Sequence, residues 1–586
     1  MEIKGEITVG KTPRYRWIYR KVDEKKILDL FFKFSHLPKF IIEILIKRGL
    51  DDKESINEFF EAPLSNLHNP FLMKGMDRAV NRILNALRNN EKICIYGDYD
   101  VDGVTATSLL YDFFSQVTTK VEFYIPKRLE EGYSLNIDAI NELKSRDVSL
   151  IITVDCGITS VDEVKYAKEN GIDVIITDHH QLSDQYPKDA YSVLNPIQND
   201  DNYPFKHLSG VGVAFKLLMA LKYSYEKEFK KNTSPLKSYL DLVALGTIAD
   251  VVPLIGENRI LVKHGLKLIE NSPRFGIEEL KKISGLTKSD ITSSNIGFTL
   301  APRINAVGRL GNCKSSVKLL ITKNQNEAKW LSEELETENK YRQEIEKNIL
   351  RDTIEKIEKK RINLKYKGIV IYSTDWHPGL IGIIASRLVE KYSKPSIVLT
   401  IENDIAKGSA RSIQNFDIFE CLQSMSDILI EFGGHRYATG LKLPIKNIPI
   451  LQKRFHDYIS KYLTDEQLIP ELSIDAYIEP LEINDHLFDL INRFRPFGNG
   501  NPEPIFCMKK VRKAQEFALM GKERSILKGF IEKRGKYFEI IGFNMSEYRD
   551  IIDKNEYFDI VFTPEYNKWL GGTNILLKLK DIKQSS

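Results

Sequence analysis

The sequence ICIYGDYDVDG, residues 93–103, decides how the chain is interpreted. Its first residues are apolar and β-branched, which is typical of a buried strand in a parallel sheet. The strand leads into Asp98, Asp100 and Asp102, whose alternate positions place three carboxylates on one side of an extended segment. Such carboxylates repel one another unless a cation lies among them. The stretch therefore predicts a strand that ends in a divalent-metal site. A calcium loop of the EF-hand kind, whose twelfth-position glutamate is missing here, and a solvated turn are the alternatives.

Two further apolar runs end in the same way. Residues 150–154 lead into Asp155, and residues 174–177 lead into Asp178-His179-His180. Functional groups collect at the carboxyl ends of strands in open α/β sheets, so we expect these side chains to converge. An Asp after a strand is by itself as often a cap or turn residue, but two adjacent histidines suit one metal ligand and one phosphate contact or proton donor. Together these runs indicate a metal-dependent hydrolase.

Length and composition set the broad class of the protein. The chain has 586 residues, of which 42% are hydrophobic and 28% charged, and this predicts two to four globular domains. A net charge of +4 neither demands nor excludes a nucleic-acid partner. Five scattered cysteines without a Cys-x-x-Cys pair favour reduced thiols. The polar N-terminus and the lack of a long apolar run predict a soluble cytoplasmic protein that does not contact a membrane.

The pattern along the chain predicts an α/β protein in five parts. They are an N-terminal accessory arm (1–75), a doubly wound parallel-sheet domain (76–325), a long connecting helix (326–362), a second, smaller α/β domain (363–465) and a β-rich C-terminal domain (466–586). Ser160 and Glu163 predict a capping box, and Gly171 predicts the end of that helix. A helix over 239–249 ends at Asp250, which is by itself an ordinary helix-end residue.

The C-terminal part interleaves basic and aromatic residues. Lysines and arginines between 509 and 536 alternate with Phe517, Phe530, Tyr537 and Phe538. This mixture suits a small OB-type barrel that binds a single nucleic-acid strand by stacking and backbone contacts. An ordinary solvated β-domain is the alternative.

Four other segments are candidates for binding phosphate or a base. Arg303, Asn305 and Arg309 suit forked contacts to phosphate oxygens, unless they belong to an ordinary surface loop. Arg128 follows a strand and could hold a phosphate, while Tyr133 could stack on a base. Two Gly-containing loops predicted at 408–411 and 433–436 suit anion binding; their candidate residues are Ser409, Arg411, Gly433, Gly434 and His435.

The ordered set of motifs resembles the DHH phosphoesterase superfamily and, within it, the RecJ family of bacterial single-strand-specific exonucleases. The superfamily motifs are GDYDVDG (97–103), VDCG (154–157), DHH (178–180) and LGTIAD (245–250). The family motifs are EGY (131–133), PRINAVGR (302–309), WHPG (376–379), GGH (433–435), RPFG (495–498) and NPEP (501–504). The resemblance extends from about residue 75 to the end of the chain.

The resemblance implies a metal site, a fold and an activity. Two Mn²⁺ or Mg²⁺ ions are expected in one active site. His180 would contact or protonate the scissile phosphate group, and Asp102 and Asp155 would act directly in catalysis. The implied metal ligands are Asp98, Asp100, Asp102, Asp155, His179 and Asp250. The second α/β domain corresponds to the DHH-associated domain, and the C-terminal barrel to the OB domain that guides a single strand. The implied activity is 5′→3′ hydrolysis of single-stranded DNA to 5′-mononucleotides in DNA repair and recombination. The implied partners of a monomeric enzyme are single-stranded DNA, single-strand-binding protein and a RecQ-type helicase.

Three other functions share part of this pattern and fit the sequence less well. A small-substrate phosphodiesterase of the same superfamily would share the metal site but would not need the basic β-domain. A non-catalytic DNA-binding relative would be expected to lose metal ligands, whereas every acidic and histidine motif is intact here. A manganese pyrophosphatase does not fit the length of the chain.

Overall fold

The computed structural model describes residues 15–127, 131–132, 134–182, 186–286, 291–310, 313–522, 524–567 and 574–585. The chain forms two compact units. Glu61–Ile345 and Pro496–Pro502 form one, which we call the cluster unit. The residues up to Phe60, Glu346–Arg495 and Glu503–Ser586 form the other, which we call the barrel unit.

The first described residues belong to the barrel unit. They form β1 (Arg16–Ile18), α1 (Glu24–Lys33), α2 (Lys39–Lys47) and α3 (Lys53–Glu61). β1 pairs in parallel with residues 471–473, and Phe40 of α2 packs edge-on against Phe506. Part of the predicted accessory arm therefore packs on the C-terminal β-domain, while residues 61–75 belong to the cluster unit.

The cluster unit is built on a five-stranded parallel sheet with the strand order β3-β2-β4-β5-β6. Strands and helices alternate along the chain as α4 (Met76–Arg88), β2 (Lys92–Gly97), α5 (Val101–Val117), β3 (Val121–Tyr124), α6 (Ile137–Ser145), β4 (Val148–Val154), α7 (Val161–Glu169), β5 (Asp173–Thr177) and β6 (Ser192–Leu194). Ile93 and Ile95 of β2 pack into a core with α4 and α5, whereas Cys94 and Tyr96 pack into a second core with α6 and α7. Both faces of the sheet are therefore covered, which explains the continuous apolar runs and confirms the doubly wound fold.

The ends of α7 confirm one prediction and correct another. Gly171 follows the helix with a left-handed φ of 78°, as its predicted stop requires. The helix begins directly after Ser160, but the Ser160 side chain makes no capping hydrogen bond. Its hydroxyl lies 2.8 Å from the Ser134 hydroxyl instead. The predicted capping box is therefore wrong, because a neighbouring loop provides a partner for the serine.

Helices make up the remainder of the cluster unit. They are α8 (Gly210–Phe229), α9 (Leu240–Ala249), α10 (Gly256–Glu270), α11 (Phe275–Ile283), α12 (Ser293–Asn295), a π-helical segment (Ile296–Leu300), α13 (Ala301–Leu310), α14 (Lys314–Ile321) and the part of α15 (Gln325–Lys359) up to Ile345, the remainder of α15 belonging to the barrel unit. α9 ends next to Asp250, as predicted. α13 covers residues 302–309, so this segment is a helix and not a surface loop. α15 has 35 residues and confirms the long connecting helix.

The second α/β domain has a mixed sheet with the strand order β10-β11-β9-β8-β7. Its elements are α16 (Ile362–Lys365), β7 (Ile369–Ser373), α17 (Ile381–Tyr392), β8 (Ser396–Glu402), β9 (Ile405–Arg411), α18 (Ile418–Gln423), β10 (Glu431–His435), β11 (Ala438–Pro444) and α19 (Ile448–Tyr462). The two predicted Gly-containing loops were wrong, because residues 408–411 lie in β9 and residues 433–435 lie in β10. Antiparallel pairing with β11 overrides the weak strand preference of their glycines.

The C-terminal residues close into a barrel. Their elements are β12 (Glu471–Ser473), β13 (Ala476–Tyr477), α20 (Asp485–Phe494), β14 (Phe506–Lys513), β15 (Ala518–Met520), β16 (Ile526–Lys533), β17 (Lys536–Gly542), α21 (Arg549–Lys554), β18 (Phe558–Asn567) and β19 (Asn574–Gln584). Hydrogen-bonded pairing runs from β14 through β18, β19, β17 and β16 and back to β14. This five-stranded ring confirms the OB-type barrel.

All five cysteines lie within the described residues, are buried and form no disulfide. Within those same residues, every helix is too short or too polar to cross a membrane.

Candidate metal centre

Three aspartates are placed where β2 turns into α5. Asp98 follows the strand and is buried, and Asp102 lies buried in the first turn of the helix. Asp100 is the N-cap residue of α5, and its Oδ1 accepts a hydrogen bond of 3.0 Å from the Gly103 N–H. The alternating sequence therefore folds as a strand-to-helix turn, with all three carboxylates at the carboxyl edge of the sheet.

Asp155 follows β4 in an unusual backbone conformation. Its φ of 60° is left-handed, a region that residues other than Gly rarely occupy, and its N–H donates to the Thr177 carbonyl oxygen at 2.9 Å. The carboxylate is buried and faces the start of α8, where a Cβ at Gly210 would overlap it. A strained residue held this firmly is characteristic of a functional site.

The DHH motif follows β5 and is organised by its aspartate. Asp178 Oδ1 lies 2.7 Å from His180 Nδ1 and accepts the backbone N–H groups of His179 (2.8 Å) and His180 (3.1 Å). Asp178 Oδ2 accepts the Ile158 N–H at 3.0 Å. Asp178 thus holds the backbone of both histidines and fixes the orientation of the His180 ring.

His179 is the point where the three strand ends meet the end of α9. Its Nε2 lies 3.1 Å from Asp155 Oδ1, 3.5 Å from Asp250 Oδ2 and 3.9 Å from Asp102 Oδ2. Ligand atoms bound at about 2.1 Å to an octahedral cation lie about 3 Å from their nearest neighbours, so this spacing suits one shared ion. Asp98, Asp100 and Asp155 form an adjoining group whose ligand atoms lie within 4.8 Å of one another. Asp155 belongs to both groups, as a bridging carboxylate would.

The N-terminus of α8 holds Asp102 in place. The Gly210 N–H donates to Asp102 Oδ2 at 2.6 Å, and the Val211 N–H donates to Asp102 Oδ1 at 2.9 Å. Ser209 caps this helix through the Gly212 N–H, and its hydroxyl lies 3.0 Å from that of Thr247 on α9. The positive end of the helix dipole therefore faces the buried carboxylate.

The electrostatics of the site show that a cation fits it. Burial and then the charge of Asp100 raise the pKa of Asp102 to about 7, against the N–H groups of Val211 and Gly210. Burial and the neighbouring carboxylates raise the pKa values of Asp155 and Asp250 well above their usual range. Burial lowers the pKa of His179 to about 4, so its imidazole is neutral and able to ligate. Carboxylates that cannot all ionise together and a neutral imidazole form a donor set for Mn²⁺ or Mg²⁺.

His180 differs from its neighbour in charge. Burial lowers its pKa, but the hydrogen bond and charge of Asp178, with Asp250 and Asp98, outweigh burial and raise it to about 9. The hydrogen bond and charge of His180 in turn keep the pKa of Asp178 below its usual value despite burial. A cationic ring beside the metal ligands suits contact with an anionic substrate.

One of the three predicted phosphate contacts on α13, Arg303, makes packing contacts in the structure. Arg303 Nε donates to Glu336 Oε2 on α15 at 2.7 Å, and its Nη1 donates to the Thr299 carbonyl oxygen at 2.6 Å. Asn305 and Arg309 are half-buried on the same helix. The contacts of Arg303, Asn305 and Arg309 with substrate stay predictions. Arg128 and Tyr133 lie outside the described residues.

The second α/β domain brings its five candidate residues onto one sheet. Across β9, β11 and β10, Ser409 pairs with Gly440, which pairs with Gly433. In the next row of the same face, Arg411 pairs with Ala438, which pairs with His435. Arg411 Nη1 donates to Ser409 Oγ at 2.9 Å. Gly434 has a φ of 142°, which lets β10 turn close to β11.

The predicted basic surface of the barrel is partly neutralised. Lys513, Lys528 and Lys533 form ion pairs of 2.7–2.9 Å with acidic residues, and Arg512 pairs with Glu532. Tyr537 remains 67% exposed and Phe530 37% exposed, so aromatic surface for stacking persists.

Two parts of the site were missed by sequence reasoning. Asp178 was recognised within its motif but given no function, and the α8 N-terminus was not singled out. A Ser followed by Gly-Val-Gly at a helix start was the available signal for the second. The function of Asp178 depends on a side-chain contact two residues away that no spacing rule predicts.

The parallel sheet and the cluster at its carboxyl edge define a metal-dependent hydrolase of the α/β class. Comparison with known proteins narrows this class. The profile of the DHH family, N-terminal domain, matches residues 92–247, the DHHA1 domain matches residues 365–461, and the RecJ OB domain matches residues 474–581.

Whole-chain comparisons agree with these domains. The single-stranded-DNA-specific exonuclease RecJ of Bacillus subtilis is 38% identical over 97% of this chain and 71% of its own length. The RecJ exonuclease of Escherichia coli is 34% identical over 83% of this chain and 85% of its own length. The crystal structure of RecJ in complex with Mn²⁺ from Thermus thermophilus covers 98% of this chain and 80% of its own, with a TM-score of 0.83 and 27% identity. The Mg²⁺ complex from the same organism has a TM-score of 0.76 and 26% identity, and covers 98% of this chain and 79% of its own. The chain belongs to the RecJ family.

Proposed function

We propose that this protein is a single-stranded-DNA-specific exonuclease that hydrolyses phosphodiester bonds from the 5′ end and releases 5′-mononucleotides. The observation that carries the proposal is the convergence of Asp155, Asp250 and Asp102 oxygens within 3.1–3.9 Å of His179 Nε2. Family membership supports the substrate, since the relatives are named as exonucleases specific for single-stranded DNA.

The chain's own residues position the reaction. Asp98, Asp100, Asp102, Asp155, His179 and Asp250 would hold two divalent cations, with Asp155 shared between them. When bound, the cations supply an activated water and neutralise charge that develops on the phosphate. Asp178 orients His180 toward the same space, where its ring can contact the phosphate or donate a proton to the leaving oxygen.

The substrate-side residues extend this proposal. Arg128, Arg303, Asn305 and Arg309 would contact phosphate oxygens of the DNA, and Tyr133 would stack on a base. The residues of the second α/β domain, Ser409, Arg411, Gly433, Gly434 and His435, would bind backbone phosphates. The barrel would bind the strand beyond the site through its exposed aromatics, with little sequence preference. Action in repair and recombination beside single-strand-binding protein and a RecQ-type helicase is part of the proposal.

Release of mononucleotides from 5′-labelled single-stranded DNA with Mn²⁺ tests the proposal, with the same strand in a blunt duplex as control. Label released as a mononucleotide from the single strand alone is expected. Release only from short dinucleotides or cyclic dinucleotides would instead support a small-substrate phosphodiesterase.

A further inference from the structure

A cavity of about 280 Å³ lies in the cluster unit beside the end of α9. Its wall includes Ala249 and Val251, the two neighbours of Asp250 in the chain, and Gly297, Phe298 and Asn499. Asp250 itself reaches the metal cluster, with Oδ2 3.5 Å from His179 Nε2. Both chain neighbours of one proposed metal ligand therefore line the cavity, and none of its lining residues was assigned a function above.

The backbone around this cavity is strained. Val251 is β-branched, yet its φ is 60°, in the left-handed region. The Asn499 side-chain amide donates to the Val251 carbonyl oxygen at 2.9 Å, and the Leu254 N–H donates to the Asn499 carbonyl oxygen at 2.7 Å. The wall also includes Gly297 and Phe298 of the π-helical segment, a form that is frequent at functional sites. Strain that is fixed from several sides indicates a binding function.

The wall offers apolar and aromatic surface that is otherwise costly to expose. Phe298 is 86% exposed and Val251 65% exposed. Thr292 and Asn295 form a capping box directly before the π-helical segment, so the position of Phe298 is held from its own chain. A flat aromatic platform beside a small apolar cavity matches the shape and chemistry of a nucleobase.

We infer that this cavity binds one base of the single strand, stacked on Phe298, while the phosphate of a nearby nucleotide lies at the metal cluster. The inference rests on the proposed function. A polymer held at Asp250 must continue across neighbouring surface, and the cavity begins at the residues that flank Asp250. Contact through stacking and apolar packing would bind any base, which agrees with an enzyme that degrades strands of any sequence.

Strands carrying one abasic site, placed in turn at each of the first nucleotides from the 5′ end, test the inference. Binding is measured by fluorescence anisotropy with the full chain carrying Asp155→Asn, so that the strand is not degraded. At one position the abasic site is expected to weaken binding by about 5- to 100-fold, the contribution of one stacked base. Adding Phe298→Ala should remove this position-specific loss. Adding Tyr223→Ala, which truncates another exposed aromatic of the same unit (64% exposed), should preserve it.

Gly297→Leu is a second test, in which a side chain is added beside the cavity instead of being removed. A Cβ at Gly297 would lie 4.0 Å from the Ile248 side chain, so this position has room for the start of a larger side chain beside the cavity. The substitution should also remove the position-specific loss, and thermal unfolding should show that the fold is intact.

Two results would overturn the inference in different ways. A position-specific loss that is identical with and without Phe298→Ala would assign the cavity to another occupant, such as a side chain of a partner protein, although hydrolysis of single strands by the native chain would still support the proposed function. Failure of the native chain to hydrolyse single-stranded DNA, and of the Asp155→Asn chain to bind it, would remove the proposed function and the inference together.

Discussion

At the scale of single residues, the site is defined by carboxylates that are unfavourable without a cation. Asp155 combines a left-handed backbone, complete burial and a pKa raised first by burial and then by Asp102. Each of these features costs stability in the protein without metal. Their persistence is explained if bound metal offsets the cost.

Asp155→Asn tests this explanation. Asn adopts left-handed backbone readily, so the substitution removes charge and leaves the local conformation intact. We expect the melting temperature without metal to stay the same or rise, while the increase on adding Mn²⁺ is lost. Hydrolysis should fall by at least about 100-fold, the upper range for residues that only support a metal ligand. A variant with normal hydrolysis would contradict the bridging assignment.

Asp178→Asn tests the orientation of His180. The amide keeps an oxygen that can accept the backbone N–H groups, but it lacks the charge that pairs with the ring. We expect kcat for single-stranded DNA to fall by about 10- to 100-fold with Mn²⁺ affinity unchanged. Asp189→Asn, which alters a surface ion pair with Lys168, is the matched control and should change neither quantity. Equal losses of kcat and Mn²⁺ affinity would show that Asp178 supports the metal instead.

At the scale of elements, the N-terminus of α8 fixes the cluster through close approach. A Cβ at Gly210 would overlap the Asp155 carboxylate, whereas a Cβ at Gly212 would lie 3.3 Å from a flexible leucine side chain. The same turn donates two N–H groups to Asp102. One helix start therefore determines the positions of two metal ligands.

The pair Gly210→Ala and Gly212→Ala measures this effect. Gly210→Ala should displace Asp155 and lower Mn²⁺ affinity by about 10-fold or more, as loss of outer support around a metal ligand does. Gly212→Ala should leave the affinity nearly unchanged, since Ala is a better helix former than Gly. Titration calorimetry with Mn²⁺ distinguishes the two. Similar affinities in both variants would show that α8 does not constrain the cluster.

Some helices and strands could be predicted from the sequence, and others could not. β2, β4 and β5 were predictable because burial on both faces makes their sequences continuously apolar. The glycines of β9 and β10 suggested loops, since pairing with β11 depends on residues distant in the chain. α13 contains Pro302 and Gly308, which obscure a helix whose burial is supplied by its neighbours. The metal ligands were predictable from strand ends, whereas Asp178 and the α8 turn act through contacts that only the folded chain creates.

At the scale of the whole molecule, the predicted domain boundaries stay a prediction. The barrel packs against more of the chain than the sequence predicted. Residues 15–60 pack with it through β1 and through Phe40, which contacts Phe506. Deleting residues 466–586 would therefore expose the apolar side of α2 and confuse loss of binding with loss of stability. Single surface substitutions are the better test of the barrel.

Tyr537→Ala supplies that test. Its ring is 67% exposed on β17, and stacking on one aromatic contributes about 1–3 kcal/mol per base. We expect weaker binding of long single strands, with hydrolysis of short ones unchanged. Binding isotherms for strands of increasing length, with Tyr223→Ala as control, give the comparison. Equal affinity of the variant and the native chain for strands of every length would show that Tyr537 of the barrel does not contact the DNA.

The most direct measurement is anomalous diffraction near the manganese absorption edge from crystals of the protein grown with Mn²⁺. Two anomalous peaks per chain are expected, one among His179, Asp250, Asp102 and Asp155 and the other among Asp98, Asp100 and Asp155. Peaks elsewhere, or none at a Mn²⁺ concentration that supports hydrolysis of single-stranded DNA, would contradict this expectation.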